Sequence, residues 1–145
     1  MQAKIRWIEQ LSFAGTADSR HWVVMDTDES SGGSAGSATP LELVLLGLGG
    51  CTSMDVVSIL RKMRVALDRY EIALDAERSE DHPKVFTRIR IEYRFWGSGL
   101  DPQKVEKAIE MSMTKYCTVS AMLGKAVPIE HDYRINPQPG AFIDG

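Results

Sequence analysis

The chain contains two cysteines, Cys51 and Cys117, and their number limits the chemistry that they could perform. Two cysteines are too few for a disulfide scaffold or a four-cysteine zinc site. They are enough for one redox pair, although two inert core thiols are the default interpretation, because free cysteine is among the most buried residue types. Cys51 follows Gly49 and Gly50, which would let a small ligand approach it closely. A reactive Cys51 must be a thiolate, which needs a nearby cation or hydrogen-bond donors; Arg20 is a candidate for the cation.

The other residues that could do chemistry do not stand in the required patterns. His21, His82 and His131 are isolated from one another and from the cysteines, so only convergence of distant residues could build a metal site. The glycines within residues 47–50 lack the spacing of a phosphate-binding loop. We therefore expect no metal and no cofactor.

Composition predicts one globular domain that does not bind nucleic acid. The chain has 145 residues, of which 43% are hydrophobic and 26% charged, a typical balance for a folded soluble domain. Lys and Arg number 17 against 20 Asp and Glu, giving a net charge of −3. Without a basic excess, nothing in the overall charge favours contact with phosphates.

The most apolar stretch, residues 41–60, is predicted to be a buried helix and not a membrane span. Glu42 and Asp55 interrupt it, and the apolar run between them is shorter than the roughly 20 residues that a span needs. The first ten residues carry charges and no apolar run, so they do not resemble a signal peptide. We expect a cytoplasmic protein without membrane association.

The first half of the chain is predicted to form two strands and a long helix. Residues 4–10 and 21–26 have strand patterns, with residues 14–19 as the hairpin connection. Residues 28–37 are rich in Ser and Gly, which is typical of a surface loop; a flap over a site is the alternative. Thr39 and Glu42 form a capping box for a helix that starts at Pro40 and ends near Asp68.

The second half is predicted to form a hairpin, a helix and a final strand. Apolar and charged residues alternate over 70–77 and again over 88–95, as in two paired strands with one buried face. Asp101 caps a second helix whose predicted apolar face ends in Ser112 and Tyr116. Residues 127–135 form the last strand. This order predicts an α+β domain over residues 1–135, with mainly antiparallel sheets around an apolar central helix, followed by a loose tail over 136–145.

Two motifs resemble those of the OsmC/Ohr family of osmotically induced and organic hydroperoxide resistance proteins. The run from Pro40 to Cys51 resembles the first cysteine region of the family, and the run from Lys115 to Ser120 resembles its second cysteine motif. The element order matches from Lys4 to about Tyr133. Residues 54–60 and 115–127 resemble the YhfA-like branch of the family in particular.

The resemblance implies an intertwined α+β homodimer with active sites at the subunit interface. Cys51 would attack a peroxide and become a sulfenic acid, and Cys117 would condense with it to form a disulfide. A dithiol reductant of the lipoyl or thioredoxin type would then restore both thiols. In the family an Arg holds the thiolate and a Glu orients that Arg, roles that fall here to Arg20 and Glu42.

This chain departs from the family pattern at three positions. The region around Arg20 matches poorly. The family Glu follows the Pro directly, whereas here Leu41 has that place and Glu42 comes one residue later, which rotates the side chain by roughly 100° around a helix. Glu42 is therefore either an orienting carboxylate or only a capping residue. Thr118 replaces the usual Pro of the second motif.

Three functions are consistent with the sequence. The leading one is a thiol-dependent peroxidase that reduces organic hydroperoxides or hydrogen peroxide through Cys51 and Cys117. The alternative is a non-catalytic relative that binds a small apolar or electrophilic ligand at the dimer interface, which the departures at Arg20 and Glu42 favour. The third is a thioesterase of the hotdog type, which would need a carboxylate base and would not depend on the cysteines.

Overall fold

The computed structural model describes residues 1–138, and within them the chain divides into two compact units. The first comprises Met1–Leu46, and the second begins at Gly47. Each unit contains one three-stranded sheet, so the α+β class is confirmed. Residues 139–145, which make up most of the predicted loose tail, lie outside the described residues.

The first unit contains three antiparallel strands where the sequence predicted two. They are β1 (Ala3–Glu9), β2 (Ser12–Ala17) and β3 (Trp22–Met25), in the spatial order β1-β2-β3. Most of the predicted connection over 14–19 is therefore strand β2. Its small residues hide the strand pattern but serve the packing, since a Cβ on Gly15 would lie 2.8 Å from Cδ1 of Ile5 and 3.1 Å from Cε of Met25.

The buried carboxylate of Asp26 holds the Ser/Gly-rich loop that follows β3. This loop contains a short 3₁₀ turn, Glu29–Ser31. Asp26 is only 3% exposed and accepts hydrogen bonds from the backbone N–H groups of Thr27, Ser34 and Gly36, and from the Ser34 hydroxyl. The Ser34 hydroxyl contributes most to holding the pKa of this carboxyl far below its usual range, and the Thr27 N–H adds to the effect. The loop is thus fastened to a charge that remains ionised down to strongly acidic pH.

Helix α1 (Pro40–Lys62) starts at the predicted capping box. The Thr39 backbone N–H donates to Glu42 Oε2 at 2.6 Å, and the Glu42 N–H donates to Thr39 Oγ1 at 3.3 Å. The helix ends at Lys62, before the predicted Asp68. Arg64 adopts a positive φ of 58°, and the N–H of Val65 bonds to the carbonyl of Leu60 at 3.0 Å, which together close a Schellman motif. An Arg in the place usually taken by Gly explains why the sequence did not reveal this end.

The predicted hairpin of the second unit is confirmed. Strands β4 (Arg69–Arg78) and β5 (Phe86–Trp96) pair antiparallel over nearly their whole length. Cross-strand partners on the outer face carry opposite charges, as in Glu71 with Arg94 and Asp75 with Arg90. The inner residues of β5 are all fully buried: Ile89, Ile91, Tyr93 and Phe95.

The rest of the second unit consists of α2 (Pro102–Met111), a π turn (Ser112–Tyr116), α3 (Thr118–Leu123) and β6 (Ile129–Ile135). The prediction of mainly antiparallel sheets holds with one exception, because β6 pairs parallel to β5. The helical segment between these two strands is a crossover connection, which returns the chain to run in its original direction.

The C-terminal part of α1 packs against the hairpin. Gly49 faces β4, where a Cβ would lie 2.8 Å from Cδ1 of Leu74, and Leu48, Val56 and Leu60 are fully buried. By length and composition alone, α1 could cross a membrane. Its contacts with β4 and its buried residues identify it as a core helix of the protein.

We predict that Asp26→Ala releases the Ser/Gly-rich loop. Without the carboxylate, the N–H groups of Ser34 and Gly36 lose their acceptor, and we expect their hydrogen exchange to accelerate about tenfold. Because the Asp26 pKa is lowered, the protection should be fully present above the ordinary carboxyl pKa and lost only as pH falls towards the depressed value. Hydrogen exchange measured by mass spectrometry tests this, with the exposed Asp18→Ala as control. Equal exchange in both variants would contradict it.

Candidate functional site

The second unit brings both cysteines together with a carboxylate. The Sγ atoms of Cys51 and Cys117 and a carboxylate oxygen of Asp55 all lie within 4.8 Å of one another. Cys51 and Asp55 come from successive turns of α1, since residues four apart share one face of a helix. Cys117 comes from the junction between the π turn and α3. Both cysteines are free thiols.

The π turn places Cys117 in the interior. Its wider turn is closed by the Cys117 N–H, which donates to the Ser112 carbonyl at 2.8 Å. The extra residue in the turn shifts the helix face, so that Tyr116, predicted to be on the apolar face, is 45% exposed. Ser112 stays buried as predicted, and Cys117 is 2% exposed. Single π turns inside helices are frequent at functional sites.

Cys117 is the N-cap residue of α3. Its Sγ accepts a hydrogen bond from the backbone N–H of Ser120 at 3.4 Å, and its carbonyl accepts one from the Ser120 hydroxyl at 2.9 Å. Burial raises the pKa of the Cys117 thiol, the contacts with Ser120 oppose this shift, and the neighbouring Cys51 adds to it. The protonated thiol is therefore the favoured state of Cys117 at neutral pH.

A buried chain of hydrogen bonds joins Asp55 to β5. The Ser112 hydroxyl donates to Asp55 Oδ2 at 3.2 Å and lies 2.9 Å from Thr52 Oγ1. Thr52 Oγ1 in turn lies 2.7 Å from the Tyr93 hydroxyl. Burial, with a smaller contribution from Cys117, raises the pKa of Tyr93 to about 12, so its phenol stays protonated. This series of hydrogen bonds fixes α1, which carries Cys51, against β5 and against the π turn that leads to Cys117.

A pocket of about 260 Å³ adjoins this group on the side of Asp55. Most of its wall is apolar, formed by Ile59, Met63, Met111 and the ring of Tyr116, and Ser58 and Lys62 contribute polar atoms at the side. A small molecule with an apolar body and a polar end fits such a lining.

Arg20 and Glu42, the other two predicted site residues, belong to the first unit. Arg20 follows β2 with a positive φ of 62°; it is exposed, and its N–H donates to the Ala17 carbonyl. Glu42 is engaged in the capping box, and its hydrogen bonds with Thr39 lower the pKa of its carboxyl. The predicted capping box of Thr39 and Glu42 is thus present, while a catalytic role for Arg20 or Glu42 stays a prediction.

Comparison with known proteins places this arrangement in a family. A sequence model of OsmC-like proteins matches residues 32–132. The chain belongs to the OsmC family. The prediction made from the two cysteine motifs is therefore confirmed.

Relatives of this OsmC-family chain match it along almost its whole length. The protein YhfA of Escherichia coli K12 is 42% identical over 135 residues, which cover 93% of this chain and 98% of that protein. A hypothetical protein from Aquifex aeolicus VF5 is 25% identical with a TM-score of 0.82, covering 93% of this chain and 95% of that one. The organic hydroperoxide resistance protein OhrB of Bacillus subtilis shares the fold, with a TM-score of 0.61 at 15% identity over 92% of this chain and 98% of its own.

Four residues of the cluster were missed from the sequence: Thr52, Asp55, Tyr93 and Ser112. Asp55 had a usable signal, because it is the lone charge in the apolar core of α1 and stands four residues after Cys51. Thr52 had none, since an isolated hydroxyl in a helix is common. For Ser112 the predicted apolar face indicated burial but not the hydrogen bond to Asp55. The inward position of Tyr93 was evident from strand alternation, but its hydrogen-bond partner was not.

Proposed function

We propose that this OsmC-family protein is a thiol-dependent peroxidase in which Cys51 attacks and Cys117 resolves. The Cys51 thiolate attacks one oxygen of the peroxide, so that an S–O bond forms and the O–O bond breaks. The leaving oxygen takes up the proton that the Cys51 thiol had released to solvent and departs as an alcohol, or as water when the peroxide is hydrogen peroxide. Cys117 then attacks the sulfur of the resulting sulfenic acid, forming the disulfide and releasing water. A dithiol of the lipoyl or thioredoxin type reduces this disulfide by exchange and becomes a disulfide itself.

The observation that carries this proposal is the approach of the two thiols to within 4.8 Å of each other. Cys51 is half-buried and Cys117 buried, so the first is the more accessible to a peroxide and the second is positioned to trap its oxidised form. The neighbouring apolar pocket suits the organic part of a hydroperoxide. Relatives that share the fold include organic hydroperoxide resistance proteins from Legionella pneumophila and Elizabethkingia anophelis.

The proposal keeps Arg20 and Glu42 as the cation that stabilises the thiolate and its orienting carboxylate. Their assignment comes from the resemblance of the chain to its family. The chemistry requires a cation or hydrogen-bond donors near Cys51, because only the thiolate attacks a peroxide.

Binding without catalysis is the second candidate function. One observation favours it: the carboxylate of Glu42 is already engaged by Thr39. In this case the pocket beside Asp55 would hold a small apolar or electrophilic ligand. The two functions differ in whether peroxide is consumed.

We further propose that the active form is a soluble cytoplasmic homodimer. Along α1, a face formed by Gly47, Gly50, Met54 and Val57 is exposed, with Met54 71% exposed. A Cβ on either glycine would meet nothing within 4 Å. Such a smooth apolar face on a core helix suits close packing against a second copy of the chain.

The peroxidase proposal predicts that the wild-type protein consumes tert-butyl hydroperoxide or hydrogen peroxide with a dithiol reductant. Cys51→Ser should lose this activity by at least about 1,000-fold, because no other thiol replaces the nucleophile. Cys117→Ser should form a Cys51 sulfenic acid but no intramolecular disulfide. Peroxide consumption and mass spectrometry of peroxide-treated protein measure both effects. Wild-type protein that consumes neither peroxide would leave ligand binding as the function, and an active Cys51→Ser would point to a mechanism without the cysteines.

The role of the charged pair is tested by Arg20→Ala and Glu42→Gln. Glutamine preserves the capping box, so Glu42→Gln should keep the free energy of unfolding within about 0.5 kcal/mol of wild type. If Glu42 orients Arg20, both variants lower kcat/KM for peroxide by at least about tenfold. Steady-state kinetics and urea unfolding provide the measurements. Unchanged kcat/KM in both would restrict Glu42 to its capping role and remove Arg20 from the mechanism.

The dimer proposal predicts that Met54→Glu converts the protein to a monomer. A buried carboxylate on each side of the interface would be desolvated and would repel its copy. Light scattering coupled to size exclusion gives the mass, with Met122→Glu, a similarly exposed methionine on α3, as control. A monomeric wild type, or a dimeric Met54→Glu, would exclude this face as the interface.

A further inference from the structure

We infer that the reduced protein binds one divalent cation of the zinc type through Cys51, Asp55 and Cys117. Two sulfur donors and one carboxylate oxygen converge there within 4.8 Å of one another. Thiolate and carboxylate are both established zinc donors, and the soft sulfurs select zinc over magnesium or calcium. The convergence is tertiary, since residues of α1 meet the start of α3.

The distances between the donors are close to those of an occupied site. With Zn–S bonds of about 2.3 Å and Zn–O bonds of about 2.1 Å, donors at the corners of a tetrahedron lie roughly 3.5–3.8 Å apart. The donors here need to approach by at most roughly 1.0–1.3 Å. Rotation of the Cys51 and Asp55 side chains, both on α1 and neither fully buried, can supply this movement without a change in the backbone.

The surroundings orient the carboxylate as a ligand. The Ser112 hydroxyl donates to Asp55 Oδ2 and is itself held by Thr52, so one oxygen is engaged and the other is available to an ion. Hydrogen bonds of this kind around a metal ligand fix its rotamer and increase affinity. Within residues 1–138 Asp55 forms no salt bridge.

Each sulfur ligates zinc as a thiolate, and Asp55 ligates it as a carboxylate. Binding forms two Zn–S bonds and one Zn–O bond, and a proton carried by either sulfur leaves to solvent. No electron is transferred, and the three protein ligands leave a fourth position for water.

The inference is independent of the proposed peroxidase, although both use the same sulfur atoms. It requires only that the two thiols and Asp55 act together as ligands in the reduced state. A protein that binds zinc and consumes no peroxide would support this inference and exclude the peroxidase. A protein that consumes peroxide and binds no zinc would support the peroxidase and exclude this inference.

The test is titration of reduced, metal-free protein with Zn²⁺ in the presence of a competing chromophoric chelator. We expect one Zn²⁺ per chain. Cys51→Ser, Cys117→Ser and Asp55→Asn should each weaken binding by at least about tenfold. Asp81→Asn, the same substitution at an exposed site in the loop between β4 and β5, should bind as wild type does.

A second readout avoids reliance on variants that fold poorly. Cd²⁺ added to the reduced wild-type protein should produce the ultraviolet sulfur-to-metal charge-transfer band of thiolate ligation, saturating at one equivalent. Prior alkylation of the thiols should abolish it. Absence of this band, or Zn²⁺ affinity equal in wild type and Asp55→Asn, would overturn the inference.

Discussion

The position of Thr52 in the middle of α1 is the constraint on which the site depends. Its hydroxyl is fully buried and bonds at once to Tyr93 on β5 and to Ser112 at the start of the π turn. Leaving such a group unpaired would cost about 1–3 kcal/mol, so the helix is held at one height and one rotation against both partners. Cys51 precedes Thr52 and Cys117 follows the turn that begins at Ser112, so the separation of the thiols is a consequence of these two bonds.

Local patterns in the sequence were sufficient to predict several of the helices and strands that surround the site. The alternation along β5 identified Ile89, Ile91, Tyr93 and Phe95 as a buried face, because a strand exposes its two sides at every second residue. The start of α1 at Pro40 was equally evident, since a capping box is complete within four residues. The two cysteine motifs identified the family, which neither composition nor periodicity could do.

The features that the sequence did not predict depend on contacts between residues far apart in the chain. Strand β2 has no apolar alternation, because Ile5 and Met25 from its neighbours cover the space above Gly15. The parallel pairing of β6 follows from the crossover through α2 and α3, and pairing direction has no local signature. A regular helical period of 3.6 residues predicted that Tyr116 lies in the core. The π turn holds one extra residue, which rotates the following side chains around the helix axis and leaves Tyr116 exposed. The sequence places Asp55 near Cys51 on α1, but only the tertiary fold brings Cys117 beside this pair.

The position of Asp55 beside both sulfurs leaves two uses of the site open. Burial favours the protonated thiol of Cys117. The peroxidase mechanism requires a positive group near Cys51, the role proposed for Arg20, whereas in metal ligation the ion itself brings the positive charge. Both uses depend on one species, the Cys51 thiolate, and they exclude each other at any moment, because a sulfur lone pair bound to a metal is less available to attack a peroxide. The chemistry of this site is therefore decided by which positive charge reaches it, and the two cysteines alone do not determine that choice.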